Sequence, residues 1–201
     1  MRWLPYGPEA ALIECDSLSQ MSAVRAAVAG LPDLLEVVPG ARSVLVVARP
    51  RTDALGDVRR VLESADLANP PGTEPREIVL EVSYDGEDLA LVAETAGITT
   101  AEVVQLHTGA EYTVAFTGFA PGFAYLTGLP DVLQQSRLDS PRTRVPAGSV
   151  GIAGEFTGVY PRSSPGGWRL LGHTETVLFD PRAERPALLA PGDRVRFRSR
   201  G

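Results

Sequence analysis

The feature that most constrains this chain is a stretch rich in glycine, proline and aromatic residues, Thr117 to Gly172. It contains three segments, GFAPGFAYLTGLP, SPRTRVPAGSVGIAG and TGVYPRSSPGGWRLLG. Glycine adopts backbone conformations that other residues avoid, and proline fixes φ, so the stretch predicts short strands joined by rigid loops. Aromatics and arginines on rigid loops suit a binding surface. The same pattern also fits the turns of a β-barrel whose ends are plugged by aromatics, and spacing alone leaves both interpretations open.

Length and composition are those of an ordinary globular protein, with 201 residues, 44% hydrophobic and 22% charged. No apolar run approaches the ~20 residues that span a bilayer, and the first residues lack a signal-peptide pattern. We therefore expect a cytoplasmic protein without a membrane segment. Residues 1–111 carry 18 acids against 8 arginines, and residues 112–201 carry 7 against 11. This balance argues against a nucleic-acid partner and suits a small anion at most.

All 19 basic residues are arginine, and the absence of lysine excludes several kinds of chemistry from this chain. There is no phosphate-loop lysine, no Schiff-base lysine and no lysine to carry biotin. Cys15 is the one cysteine, and His107 and His173 are the two histidines. We therefore expect neither a disulfide nor a metal site.

Residues 1–68 predict a small α+β domain of the order β-α-β-β-α. The pattern gives a strand at Ala11–Cys15, a helix capped by Ser19, a hairpin of Leu34–Val38 with Ser43–Ala48, and a helix capped by Asp53. Its charges alternate as on a solvated face, so nothing in this domain indicates catalysis.

The proline-rich segment Asn69 to Arg76 predicts a linker before a second, mainly-β domain over residues 77–201. This domain begins with a strand at Ile78–Val82. Helices follow at Leu89–Ala96 and after a capping box of Thr99 with Glu102. Further strands are predicted at Tyr112–Thr117, Thr176–Asp180 and Arg194–Arg198, and many short strands with glycine and proline turns indicate a small closed barrel.

Several side chains in the second domain can carry chemistry. His107 suits either a general base or a helix-end hydrogen bond. Arg142 and Arg144 can hold a carboxylate or phosphate, with Glu155 as an internal partner. Ser149 lies in AGSVG, which resembles a nucleophile elbow, but the glycine-rich segment after it cannot form the helix that such an elbow needs. Asp85, Glu87 and Asp88 predict a turn and the acidic first turn of a helix rather than a cation site.

Taken together, GFAPGFAYLTGLP, PRTRVPAGSVGIAGEFTGVYP and SPGGW resemble the signature of the family of the 5-oxoprolinase B subunit, also known as allophanate hydrolase subunit 1 or carboxyltransferase subunit. The resemblance extends to LLEVVPGARSVLV and LLAPGDRVRF, and so covers nearly the whole chain. It implies an α+β N-terminal domain followed by a mainly-β cyclophilin-like barrel. Two segments depart from the family pattern. Ser136-Arg137-Leu138 stands where the family usually has a Pro-Arg-Arg run, and His173 stands where an arginine usually follows Leu-Gly.

The resemblance also implies that the chain functions as one subunit of a complex. The expected partners are a second barrel-fold subunit, similar to the 5-oxoprolinase C subunit or to allophanate hydrolase subunit 2, and a third, lactam-utilisation subunit. The expected reaction is the ATP-driven opening of 5-oxoproline to glutamate, with ATP shared among subunits and no biotin attached to this chain. A carboxyltransferase subunit linked to urea or allophanate, or an inhibitor of a histidine kinase, remain alternatives.

We expect His107 and Arg144 to be catalytic. The substrate-binding surface is expected to comprise Gly118, Pro121, Gly122, Tyr125, Arg142, Ser149, Glu155, Ser164 and Trp168. Aromatics on Gly118–Leu129 and Ser164–Trp168, with Phe123 and Trp168 as anchors, are expected to border the partner, because soluble proteins seldom leave such side chains uncovered.

Overall fold

The computed structural model describes residues 1–67 and 75–200. The chain divides into two compact units, Met1–Glu74 and Pro75–Gly201. Of the segment predicted as a linker, only Pro75 and Arg76 are among the described residues.

The first unit is a four-stranded antiparallel sheet of order β1-β2-β4-β3 with two helices. Its elements are β1 (Arg2–Pro5), β2 (Ala10–Glu14), α1 (Leu18–Val28), β3 (Leu34–Pro39), β4 (Ser43–Ala48) and α2 (Ala54–Ser64). The side chains that pack between sheet and helices alternate along β2 and β4 and recur at helical spacing along α1 and α2: Ala11, Ile13, Val44, Val46, Met21, Val24, Val58 and Leu62.

The predicted hairpin and both helices of this unit are confirmed, although the Asp53 side chain at the start of α2 makes no capping hydrogen bond. Two further differences concern β1 and the start of α1. Strand β1 was missed because its four residues end in Pro5, which an edge strand tolerates although the local pattern argues against a strand. The cap of α1 is Ser17 rather than Ser19, and its hydroxyl accepts a hydrogen bond from the Gln20 amide at 3.1 Å.

The second unit is built mainly from strands. Its elements are β5 (Glu77–Val82), α3 (Leu89–Ala96), α4 (Thr100–Gly109), β6 (Tyr112–Thr117), β7 (Ala124–Thr127), a short 3-10 helix (Asp131–Leu133), β8 (Arg142–Val145), β9 (Ser149–Ala153), β10 (Phe156–Val159), β11 (Ser164–Gly166), β12 (Arg169–His173) and β13 (Arg194–Ser199). The capping box of Thr99 with Glu102 forms at the start of α4, as predicted.

Seven strands of this unit form one sheet of order β12-β9-β10-β7-β6-β13-β5, which curls into a nearly closed barrel. The two outermost strands approach each other where Ser83, just after β5, and His173, at the end of β12, exchange two backbone hydrogen bonds of 2.8 and 2.9 Å. The barrel interior is filled by apolar side chains from the strands and from α3 and α4, including Leu80, Val114, Leu126, Ile152, Leu171 and Phe197. The predicted barrel is therefore confirmed in its mixed α/β, barrel-like form.

Two further strands, β8 and β11, pair only with each other and lie outside the barrel sheet. We call this two-stranded sheet the ribbon. The predicted strand at Thr176–Asp180 is wrong: these residues form an irregular segment with a single bridge between Phe179 and Ala187. Three consecutive apolar residues, Val177 to Phe179, suggested a strand there, but Leu178 alone of the three is buried and Val177 is 70% exposed.

Within residues 1–67 and 75–200, no single helix is long and apolar enough to cross a membrane. Helices α3 and α4 reach the required length and composition only as a pair, and they are bent by 92° at their junction.

Candidate functional site

His107, expected to be catalytic, lies in the barrel interior and is completely buried. Its Nδ1 atom is 2.7 Å from the Tyr84 hydroxyl, and its Nε2 atom is 3.0 Å from Thr157 Oγ1. The Thr157 hydroxyl donates its own proton to the Gly151 carbonyl at 3.0 Å. It must therefore accept from Nε2–H, so Nδ1 accepts from Tyr84 and the ring is the neutral Nε2–H tautomer.

The surroundings of His107 favour its neutral form. Burial lowers the pKa of His107 to about 3, and burial raises the pKa of the neighbouring Tyr84 and Tyr112 hydroxyls. Its ring nitrogens are hydrogen-bonded to the half-buried Tyr84 and to the buried Thr157, and the ring itself is fully enclosed. His107 is thus a fully hydrogen-bonded part of the core, and its expected catalytic role stays a prediction.

On the outer face of the barrel, aromatic residues of the stretch Thr117 to Gly172, which we call the motif stretch, form a second packed group. We call this group the aromatic cluster, and it consists of Phe119, Phe123, Tyr125, Tyr160 and Trp168. Leu170 packs in this cluster while its neighbour Leu171 packs in the interior, as expected for successive residues of one strand. The rings meet edge to face, with Phe123 and Trp168 centroids 5.3 Å apart at 88°.

The outer face is flat at the cluster because two glycines oppose each other there. Gly151 and Gly158 are paired across β9 and β10. A Cβ atom at Gly158 would lie 2.8 Å from the Ala124 carbonyl oxygen and 3.2 Å from the Trp168 ring. Glycine at this position is therefore required for the ring to rest on the sheet, which explains part of the spacing in the motif.

The cluster contains both buried and exposed rings. Phe123 and Tyr160 are each 1% exposed, whereas Tyr125 and Trp168 are half-buried. The expectation that Phe123 is an interface anchor is therefore corrected, because its side chain is enclosed by neighbouring rings within the chain. Phe119 is 60% exposed and is the one ring of the cluster that faces solvent for most of its surface.

The ribbon covers the cluster and is tied to the barrel by Arg142. This guanidinium donates to both carboxylate oxygens of Asp88 at 2.7 and 2.8 Å, and Asp88 also accepts from the Leu170 amide at 2.7 Å. The Arg142 side chain is 21% exposed and that of Asp88 is 8% exposed. Arg142 is therefore engaged in a partly buried ion pair, in which one guanidinium nitrogen contacts both carboxylate oxygens of Asp88, and its expected contact with substrate stays a prediction.

The acidic residues near Asp88 contact an arginine and a histidine, and they do not form a cation site among the described residues. Glu87 contacts Arg142 at 3.2 Å, and Asp85 contacts His173 Nδ1 at 2.8 Å. Glu155, expected as an internal partner of the arginines, is instead exposed in the turn between β9 and β10. It forms no ion pair within the described ranges of the chain.

Arg144 lies two residues beyond Arg142 on the same strand but has a different environment. It is exposed, its Nε atom donates to Ser163 Oγ at 3.2 Å, and no carboxylate pairs with it among residues 1–67 and 75–200. By contrast, Arg194 and Arg196 of β13 both pair with Glu111. The terminal nitrogens of Arg144 are thus available for an anion, and its expected catalytic role stays a prediction.

The remaining predicted binding residues divide into two groups. Gly118, Pro121 and Gly122 form the loop that carries Phe119, next to the cluster. Ser149 and Ser164 are held in strands: Ser149 is 5% exposed at the start of β9. The Ser164 hydroxyl is buried beside Val145 and has no hydrogen-bond partner in the described part of the chain.

Sequence reasoning did not anticipate the role of Asp88. The residue was predicted only to favour the first turn of α3, yet its carboxylate reaches Arg142, 54 residues further along the chain. No local signal reveals this pairing. The strained position of Phe119 was also missed, because its φ of 64° becomes visible only in the folded backbone.

Comparison with known proteins identifies the relatives of this chain. The family model for the carboxyltransferase domain, subdomain C and D, matches residues 1–189. The 5-oxoprolinase B subunit of Escherichia coli O157:H7 is 46% identical over 174 residues, covering 83% of this chain and 78% of that protein. The protein of the same name from Bacillus subtilis (strain 168) is 39% identical over 183 residues, covering 83% of this chain and 75% of that protein.

Two of the solved structures with the same fold belong to longer chains, whereas PH0987 from Pyrococcus horikoshii, with a TM-score of 0.60 at 34% identity, is covered over 97% of its length. The crystal structure of TTHA0988 superposes with a TM-score of 0.84 at 35% identity, covering 96% of this chain but 40% of that one. The urea carboxylase of Kluyveromyces lactis has a TM-score of 0.73 at 18% identity, covering 99% of this chain and 22% of that one. The likeness to urea carboxylase shows the fold alone, and both longer chains show this fold as one part of a larger polypeptide.

Proposed function

The chain belongs to the family of the carboxyltransferase domain, subdomain C and D, and from this premise we propose that it is the B subunit of an ATP-dependent 5-oxoprolinase. The observation that carries the proposal is the identity of 39 to 46% with proteins named as the B subunit of 5-oxoprolinase, over more than four fifths of this chain. The likeness to urea carboxylase is at the level of fold and favours no second activity.

The proposed reaction is the hydrolysis of the cyclic amide of 5-oxoproline, coupled to ATP hydrolysis, which yields glutamate. Within the described ranges, the hydroxyls next to a histidine are buried: Thr157 contacts the enclosed His107, and Ser149 is paired with His173 across the sheet. We therefore propose that the chain is inactive alone and contributes binding groups to a site completed by partner subunits. The proposed partners are a second barrel-fold subunit and a third, lactam-utilisation subunit.

Arg144 is the group best placed to bind an anionic part of the substrates. Arg144 has no carboxylate partner among the described residues, so its guanidinium can bind the carboxylate of 5-oxoproline or a phosphate of ATP. The hydrogen bond to Ser163 would orient the Arg144 side chain. ATP would be shared between subunits, since this lysine-free chain has no phosphate-loop lysine.

The proposal extends to the finer architecture of the protein. Residues 1–68 would form an independent α+β domain, and residues 77–201 would form a barrel of the cyclophilin-like kind that bears the shared site. The protein is proposed to act in the cytoplasm.

The test is reconstitution. The chain is purified alone and together with the second and third subunits encoded in neighbouring genes, and ATP hydrolysis dependent on 5-oxoproline is measured with glutamate formation. We expect activity in the complete assembly and none in the isolated chain. Turnover by the isolated chain would refute the shared site, and an assembled complex without 5-oxoproline-dependent ATP hydrolysis would refute the activity.

A further inference from the structure

The loop that carries Phe119 has a strained backbone. Phe119 has a φ of 64°, a region that non-glycine residues seldom adopt. The Ala120 amide donates to the Gly118 carbonyl at 2.7 Å across it, a three-residue turn that is rare when the central φ is positive. Strain of this kind persists only where the surroundings enforce it, and it is concentrated at functional positions.

The surroundings of Phe119 do enforce this conformation. The Phe123 amide donates to the Ala120 carbonyl at 2.9 Å, which closes the loop behind the turn. Gly122 has a φ of 83°, and a Cβ atom there would lie 2.6 Å from Phe179 Cβ. The loop is therefore pressed against the segment that contains Phe179 and cannot relax by moving inward.

The strained turn presents an apolar side chain to solvent instead of burying it. The Phe119 ring is 60% exposed, and it rests edge-on against Phe123 and Tyr160. Beside it is an open groove of about 540 Å³ between the loop and the segment 187–191, with Leu189 and Pro191 in the opposite wall. None of the residues lining this groove is charged. We call Phe119, Pro121 and this groove the Phe119 patch.

We propose that the Phe119 patch is a docking surface for an apolar segment of the second barrel-fold subunit, with Phe119 as its anchor. This inference rests on the proposed function, because it takes its occupant from the proposed assembly. An uncharged groove next to a projecting aromatic ring selects an apolar partner, and aromatic anchors seated in apolar surroundings dominate the affinity of protein interfaces.

The longer relatives support a polypeptide occupant over a small molecule. The part of TTHA0988 that matches this chain is 40% of that protein, so most of that chain is additional polypeptide available to the matched fold. The curated relatives, in turn, are named as one subunit of an enzyme. All residues that line the groove belong to the second unit of this chain, so the groove is present in the unbound chain.

The experiment measures binding of the purified second subunit to the wild-type chain and to three variants by calorimetry, with thermal unfolding of each free variant. We expect Phe119→Ala to weaken binding at least tenfold. Val132→Ala, which shortens another exposed apolar side chain in the short 3-10 helix, serves as the matched control and should bind within twofold of wild type.

The third variant, Phe119→Gly, separates an interface role from a structural one. Glycine adopts a positive φ without strain, so the free variant should unfold at the same temperature as wild type or higher, while its binding falls as far as that of Phe119→Ala. Unchanged affinity of both Phe119 variants would overturn the inference, as would a marked loss of thermal stability in Phe119→Gly.

The outcomes also distinguish this inference from the proposed function. If the complex forms and depends on Phe119 but does not open 5-oxoproline, the docking surface stands and the proposed activity is wrong. If the complex is active and insensitive to Phe119, the activity stands and the docking surface is wrong. If the wild-type chain does not bind the second subunit at all, both are wrong.

Discussion

The interior of the barrel and its outer face both contain aromatic rings and polar side chains. In the interior these groups are enclosed and hydrogen-bonded, whereas several on the outer face are exposed or lack a partner among the described residues. In the interior, His107 has a partner at each ring nitrogen, and the Tyr112 hydroxyl donates to the His107 carbonyl at 2.9 Å. On the outer face, Phe119 is strained and exposed. Among the described residues, the Ser164 hydroxyl has no hydrogen-bond partner and Arg144 has no carboxylate partner.

This difference separates residues that maintain the fold from residues free to bind something else. Buried polar groups in folded proteins are nearly always hydrogen-bonded, so a complete network such as that of His107 is accounted for by stability. Strain and unpaired cations cost free energy in the isolated chain and need another explanation, which ligands and partners supply. The candidate site is therefore on the outer face, although the imidazole in the interior was the more obvious chemical group.

The largest effect on the free energy of unfolding is expected at the ion pair of Arg142 with Asp88, which connects the ribbon to the barrel. Asp88→Ala removes the acceptor of the Leu170 amide and the buried carboxylate partner of Arg142, whose largely buried guanidinium would keep only the exposed Glu87 carboxylate and the Trp168 carbonyl. We expect a loss of about 3–5 kcal/mol in the free energy of unfolding, measured by urea denaturation.

The matched control is Glu87→Ala. Glu87 contacts the same arginine, but its side chain is 76% exposed, so its removal should cost less than about 1 kcal/mol. Equal losses for the two variants would show that Asp88 does not fasten the ribbon, and Arg142 would then not differ from Arg144 in its role.

The next effect concerns the interior and depends on pH. The pKa of His107 is about 3 in the folded chain, against an ordinary value near 6.5 when unfolded. Between these values the unfolded state binds more protons, so His107 contributes stability that is fully present above about pH 6.5 and is lost as the pH falls toward 3. We expect a decline of up to about 1.4 kcal/mol per pH unit below roughly pH 6.

Two variants identify the source of this decline. His107→Gln should be less stable than wild type at pH 7 because it disturbs the buried network, but its stability should fall less steeply between pH 6 and 5. His173→Gln is the matched control, because it removes the exposed histidine and leaves the buried network of His107 intact. A slope that survives in His107→Gln would assign the acid sensitivity to carboxylates and would contradict the neutral, enclosed state of His107.

Much of the scaffold follows from local patterns in the sequence, and the reason is visible in particular elements. The helix Leu89–Ala96 ends at Gly97 with a φ of 69°, and the capping box of Thr99 with Glu102 begins the next helix. Glycine C-caps and capping boxes are formed by residues a few positions apart, so the sequence displays them directly.

The candidate site could be predicted only as a region. The motif stretch correctly indicated rigid loops with aromatics and arginines, but not which side chains are covered. Arg142 and Arg144 look alike in the sequence, and their different environments arise from Asp88, more than 50 residues away. Likewise, the burial of Phe123 and the exposure of Phe119 depend on how the loop closes over the paired glycines of β9 and β10. Such contacts join residues far apart in the chain, so the local sequence around each residue does not predict them.

The smallest effect on stability, and the sharpest test of the outer face, is expected at Arg144. Its side chain is exposed and held only by a hydrogen bond to Ser163, so Arg144→Ala should change the free energy of unfolding by less than about 0.5 kcal/mol. If this guanidinium binds an anionic part of the substrates in the assembled enzyme, the same variant should lower kcat/KM for 5-oxoproline at least tenfold, and Arg144→Lys should restore only part of it because the bidentate geometry is lost. Arg137→Ala is the matched control, since Arg137 is also an exposed arginine of the motif stretch with no carboxylate partner in the described ranges. Full activity of Arg144→Ala, or an equal loss in Arg137→Ala, would show that the unpaired charge at Arg144 is merely solvated, and the outer face would then differ from the interior in exposure but not in function.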